Sequence, residues 1–108
     1  MRAINILITI VALMLSSTTI LAAGDAAAGA ASFAICGSCH GMKGEGNEAM
    51  KGPKLSGQLD WYILSSLKKF KDGTRGKGDP IAAMMIPMAT MLSDKQMEDV
   101  TAYIATLK

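Results

Sequence analysis

Cys36-Gly37-Ser38-Cys39-His40 sets two thiols three residues apart, with an imidazole directly after the second. On a helix this spacing puts both sulfurs on one turn. Each can form a thioether to a haem vinyl group, and the histidine can then supply one axial nitrogen to the iron; C-x-x-C-H is the attachment pattern of c-type haem. These are the only two cysteines of the chain, so none is left for a structural disulfide. A thioredoxin-type dithiol also uses C-x-x-C, but within a βαβ pattern, and no convincing strand is readable here. With a single histidine, a bis-histidine iron within one chain is excluded. A methionine thioether is the natural second ligand, and Met84, Met85, Met88 and Met91 are the candidates. Each of the four also suits a flexible core filler, so residue type alone does not choose among them.

The elements that must position these groups follow from the rest of the chain. Met1-Arg2, an apolar run from Ala3 to Leu15 broken only by Asn5 and Thr9, and small residues at Ala22, Ala23 and Gly24 have the form of a secretory leader. The apolar part is shorter than the roughly 20 residues of a membrane span. A leader over residues 1–24 and a single domain over 25–108 are therefore expected. A domain of about 85 residues struggles to build a sufficient core alone, and a buried porphyrin would supply apolar surface for helices to pack around.

Asp25 can cap a first helix running through the alanine-rich stretch to the first cysteine. Gly29 and Phe33, four apart, share one face of it, and a glycine inside a helix points to close approach by another element. The stretch from Gly41 to Gly57 is loop-like. Leu59, Ile63, Leu64, Leu67 and Phe70 then mark one face of a second helix ending near Asp72-Gly73. Gly76, Gly78 and Pro80 make another loop, and the methionine-dense stretch from Met84 to Met91 leads from it. Ser93-Asp94-Lys95-Gln96 has capping-box form, and Met97, Val100, Ile104 and Leu107 continue a helical face behind it. The fold class is all-α, with no internal repeat.

With these residues in place, the chain resembles the small class I cytochromes c of bacterial periplasms, and most of all one half of the periplasmic di-haem cytochromes. The resemblance rests on Gly29-x-x-x-Phe33, Cys36-Gly-Ser-Cys39-His40-Gly41, Gly52-Pro53-Lys54-Leu55, Gly57-Gln58 leading into Trp61-Tyr62, Phe70 to Gly76, Asp79-Pro80, Met84-Met85-Ile-Pro-Met88, Leu92-Ser-Asp94 and Tyr103. It implies helices and loops wrapped around one covalent haem c, attached through Cys36 and Cys39. The resemblance implies His40 and Met85 as iron ligands, because relatives place the methionine eight residues before the serine that starts the last helix. Met88 is the alternative. It further implies that the Pro53 carbonyl receives the second imidazole N–H, and that Gly29 and Phe33 cross the last helix near Val100 and Tyr103. Trp61 and Tyr62 are candidates to line the haem or reach a propionate, and Arg75 to offset propionate charge.

The function implied is one-electron transfer in the periplasm by a non-enzymatic carrier, alone or as a subunit of a redox complex. Donor and acceptor proteins are its expected partners. A haem subunit of an oxidoreductase and a gas-binding sensor with a labile methionine are the rivals. The formal net charge of +2 is too small to suggest nucleic acid. Lys68, Lys69, Lys71, Arg75 and Lys77 concentrate positive charge at one helix end, a solvated face or a steering surface for an acidic partner.

Overall fold

Alanine carries the first helix. Ala26, Ala27, Ala28, Ala30 and Ala31 are the strongest helix formers, and Asp25 accepts from the backbone N–H of Ala27 (2.9 Å) and Ala28 (3.3 Å), a cap that stabilises by about 1 kcal/mol. In the computed structural model, which describes residues 24–108, this helix (α1) spans Ala26–His40. It runs past the first cysteine, where the sequence places its end, and carries the whole Cys36–His40 motif. Gly41 stops it, with φ of 85° and its N–H donating to the Gly37 carbonyl. The leader expected over 1–24 lies outside the described residues, apart from Gly24.

Three further helices follow: α2 (Asp60–Asp72), α3 (Met85–Thr90) and α4 (Asp94–Ile104), with a 3₁₀ turn over Ala82–Met84 running into α3. Gly73, in the left-handed conformation, ends α2 as its position in the sequence predicts. Ser93 and Gln96 form the full capping box at the start of α4. Among the described residues there is no strand, only an isolated bridge between Asn47 and Gly52. None of the described helices is long and apolar enough to cross a membrane.

The methionine-dense stretch is helical rather than a loop. Asp79 accepts from the N–H groups of Ile81 and Ala82 and so caps the 3₁₀ turn, with Pro80 between. Pro87 is the third residue of α3. The first turn of a helix has no intrahelical acceptors for its N–H groups, so the N–H that proline lacks is not missed there.

The core joins α1, α2 and α4. Phe33, Ile63, Val100 and Ile104 are buried together, with Cys36, Leu55, Leu67, Leu92, Tyr103 and Leu107 packed against them. Gly29 makes the α1–α4 crossing possible: a Cβ there would overlap the Asp99 carbonyl oxygen. One turn on, Phe33 meets Tyr103 with ring centroids 5.2 Å apart. The crossing expected near Val100 and Tyr103 is thus present.

A buried carboxylate locks the same crossing. Asp99, 5% exposed, accepts from the backbone N–H of Asp25 at 2.7 Å and from the Lys95 ammonium. The Lys95 bond, then the Asp25 bond, hold its carboxyl below the usual carboxylate range. A depressed folded-state pKa contributes stability above the unfolded value near 4, lost as pH falls through the folded value. Asp99→Asn should therefore lower the melting temperature at neutral pH, with the difference from wild type shrinking on acidification. Thermal unfolding from about pH 7 down to about pH 2 checks it; a constant difference across that range would remove the carboxylate from the account.

Candidate haem-binding site

The last two turns of α1 carry the reactive groups because the helix continues unbroken to Gly41. Cys36 and Cys39 are free thiols, each half-buried. The Cys36 thiol donates weakly to the Ser32 carbonyl (3.8 Å), one turn back. Burial pushes its pKa above the ordinary thiol value, and the neighbouring Cys39 adds to this.

His40 is 6% exposed. Its Nδ1 lies 2.7 Å from the Pro53 carbonyl oxygen. A carbonyl only accepts, so Nδ1 carries a proton and donates; in the neutral imidazole Nε2 is then the nitrogen with a free lone pair. An imidazole fixed through one nitrogen with the other free is how proteins orient a metal-binding histidine. The backbone carbonyl of His40 is also held, accepting from Gly46 N–H at 2.7 Å. The loop after the motif therefore grips both the ring and the main chain of this residue.

Gly52 makes the grip possible, and the sequence reading did not single out its role. A Cβ at position 52 would overlap the Cys39 carbonyl oxygen and reach the His40 backbone nitrogen at 3.0 Å. The loop can lie on the end of α1, with Pro53 under the imidazole, only because this residue is glycine. The one signal in the chain was the Gly52-Pro53 pair itself. Gly52→Ala should push the loop off α1, break the Nδ1–Pro53 bond and cost about 2 kcal/mol. Chemical denaturation of the haem-loaded protein measures the cost. An alanine variant as stable as wild type would mean the contact is dispensable.

The four methionines separate by exposure. Met84, Met88 and Met91 are 59%, 37% and 57% exposed, whereas Met85, the first residue of α3, is half-buried. Arg75 is already engaged. Its guanidinium donates to Ser66 Oγ (2.7 Å) and Tyr62 Oη (3.4 Å) and stacks 4.9 Å from the centre of the Phe70 ring. It staples the loop after α2 back onto that helix, and holds the Tyr62 phenol below its usual pKa. Trp61 is 65% exposed and faces away from the core side of α2, where Ile63, Leu67 and Phe70 lie. The structure does not bring it together with the Cys36–His40 motif and Pro53.

A haem c fits these residues: free thiols one helical turn apart, and a buried imidazole with one nitrogen committed and the other open. Comparison with known proteins agrees. The cytochrome c family profile matches residues 26–108. The chain is 44% identical over 84 residues to cytochrome c-554(548) of Halomonas halodenitrificans, covering 78% of this chain and 98% of that one. It is also 44% identical over 87 residues to cytochrome c4 of Pseudomonas aeruginosa, covering 81% of this chain but only 40% of that one. A crystal structure of reduced recombinant cytochrome c4 from Pseudomonas stutzeri superposes with a TM-score of 0.66 at 38% identity, covering 80% of this chain and 47% of that chain. The chain thus spans less than half the length of the c4 proteins it matches.

The fold and the site define an all-α haem protein of the electron-transfer class. The chain belongs to the cytochrome c family, and its cofactor is one haem c, covalently held through Cys36 and Cys39.

Proposed function

We propose that this protein is a periplasmic electron carrier whose haem iron is ligated by His40 and Met85. The observation that carries the reading is the 2.7 Å bond from His40 Nδ1 to the Pro53 carbonyl, which leaves Nε2 as the ligating nitrogen. When bound, the haem supplies a one-electron Fe(II)/Fe(III) couple. The chain's own residues do the rest. Cys36 and Cys39 fix the macrocycle to α1, and Pro53 holds the imidazole in one tautomer and one orientation. Met85, the least exposed of the four candidates, offers a neutral thioether, which favours the ferrous state and raises the potential. Keeping both ligands on rigid elements limits rearrangement between oxidation states.

In this reading, residues 1–24 are a leader removed on export and residues 25–108 form the mature domain. No substrate is transformed, and the protein is not an enzyme. A second reading, an electron-accepting component docked to a dehydrogenase, draws support from one relative. The thiosulfate dehydrogenase electron acceptor of Thiomonas intermedia is 37% identical over 75 residues, covering 69% of this chain and 32% of that one. Both readings require the same iron ligands.

The test is the optical spectrum of the oxidised protein. The weak far-red band of a methionine–ferric iron bond is expected. A high-spin spectrum without it would withdraw the carrier reading and put a gas-binding haem protein in its place.

A further inference from the structure

We propose that the outward face of α2 docks an acidic protein surface presenting an apolar side chain, with Trp61 as the anchor. This rests on the electron-carrier reading, because a carrier must meet a partner, and it names the chemistry of that partner. Trp61, Leu64, Ser65, Lys68 and Lys69 line an open groove of about 390 Å³. On a helix, positions 61, 64, 65 and 68 stack on one face, opposite the buried Ile63 and Phe70.

Trp61 is the only tryptophan of the chain, and its exposure of 65% is the largest among the exposed large apolar side chains of the described residues. Tyr62 contacts it edge-on, with ring centroids 6.0 Å apart at 87°. Tryptophan is also among the residues most often found as interface anchors. The apolar floor ends in two cations. The ion pairs among the described residues are Lys71–Asp94 and Lys95–Asp99, so Lys68 and Lys69 enter none. Free lysines beside an exposed indole and a leucine complement carboxylates flanking an apolar side chain. The lysines would speed the encounter and make it salt-dependent, and the indole would set its lifetime.

The probe is a synthetic peptide with one phenylalanine between runs of glutamate, titrated into isotope-labelled, reduced, haem-loaded protein and followed by NMR. Saturable shifts are expected at the Trp61 indole N–H and the amides of residues 61–69. Affinity should fall about tenfold in Trp61→Ala and also fall in Lys68→Glu/Lys69→Glu and at raised salt. Shifts on another face, no saturable binding, or unchanged affinity in Trp61→Ala overturn the proposal. Shifts at Trp61 that grow with protein concentration alone would give the groove to a second copy. Trp61-dependent retention on phosphatidylglycerol vesicles, without peptide binding, would give it to a membrane.

Optical spectra of wild type and Trp61→Ala are recorded in parallel. A wild-type spectrum lacking the far-red band fails the carrier reading itself, whatever the peptide does. A spectrum altered only in Trp61→Ala would place the indole against the haem and overturn the docking role.

Discussion

Met85→Ala is expected to abolish the far-red band of the oxidised protein while the haem stays attached. Cys36, Cys39 and His40 all lie on α1 and are untouched by the change, so attachment and one axial nitrogen persist. Alanine offers no donor atom, and Met88, one turn on in α3 and 37% exposed, is the more exposed of the two methionines. The potential should fall by something on the order of 100 mV, a fraction of the roughly 0.8 V range that axial ligands span, because the thioether that favours ferrous iron is gone. Voltammetry and the optical spectrum read the two effects independently. Met88→Ala should leave both unchanged. The reverse pattern, with the band lost only in Met88→Ala, would move the ligand to that residue.

Gly29→Val should be among the most destabilising single changes in the domain outside the haem ligands. The first atom added would overlap the Asp99 carbonyl oxygen and come within 2.9 Å of Tyr103 Cβ. A side chain can rotate away from a clash, but a helix backbone cannot. The two helices would have to separate, and with them the Phe33–Tyr103 ring contact and the burial of Phe33 against Val100. Overpacking usually costs 1–3 kcal/mol. An immovable obstacle places this case at the top of that range, about 3 kcal/mol, against a total stability of about 5–15 kcal/mol for a domain. The control is Ala30→Val, next along α1 but exposed, which should lose only helix propensity, about 0.5 kcal/mol. Denaturant midpoints of the two haem-loaded variants make the comparison. Equal shifts would mean that the close approach of α1 and α4 carries no special weight.

What the sequence made legible and what it hid differ in kind. Features carried by neighbours along the chain were readable. The Asp25 cap, the Ser93–Gln96 capping box, the Gly73 stop and the C-x-x-C-H turn are each a few residues long and depend on backbone geometry alone. Gly29 was readable because a glycine inside an alanine-rich helix has no local purpose, so its reason had to be another helix. Gly52 sits in a loop that contains other glycines, and only the fold shows that a backbone carbonyl from α1 occupies its Cβ position. Helix α3 was hidden by Pro87, which looks like a breaker until the helix is known to start two residues earlier. Asp99 has a local partner in Lys95, one turn back on α4, but its second donor, the Asp25 N–H, reaches it only when α1 crosses α4. Trp61 entered as a haem candidate only through the family resemblance, and α2 places it on the face opposite Ile63 and Phe70, 65% exposed.

The crossing of α1 and α4 also sets an order of events. Asp25 reaches Asp99 across 74 positions, and Phe33 reaches Tyr103 across a similar span. Contacts this distant in sequence form only after a long loop has closed. Until α4 packs against α1, the helix bearing both thiols and the imidazole lacks the partner that clamps it. A chain without α4 has neither the Asp99 carboxylate nor the Tyr103 ring that hold α1 in place. Closure of α4 over α1 therefore both completes the core and fixes the helix that carries Cys36, Cys39 and His40.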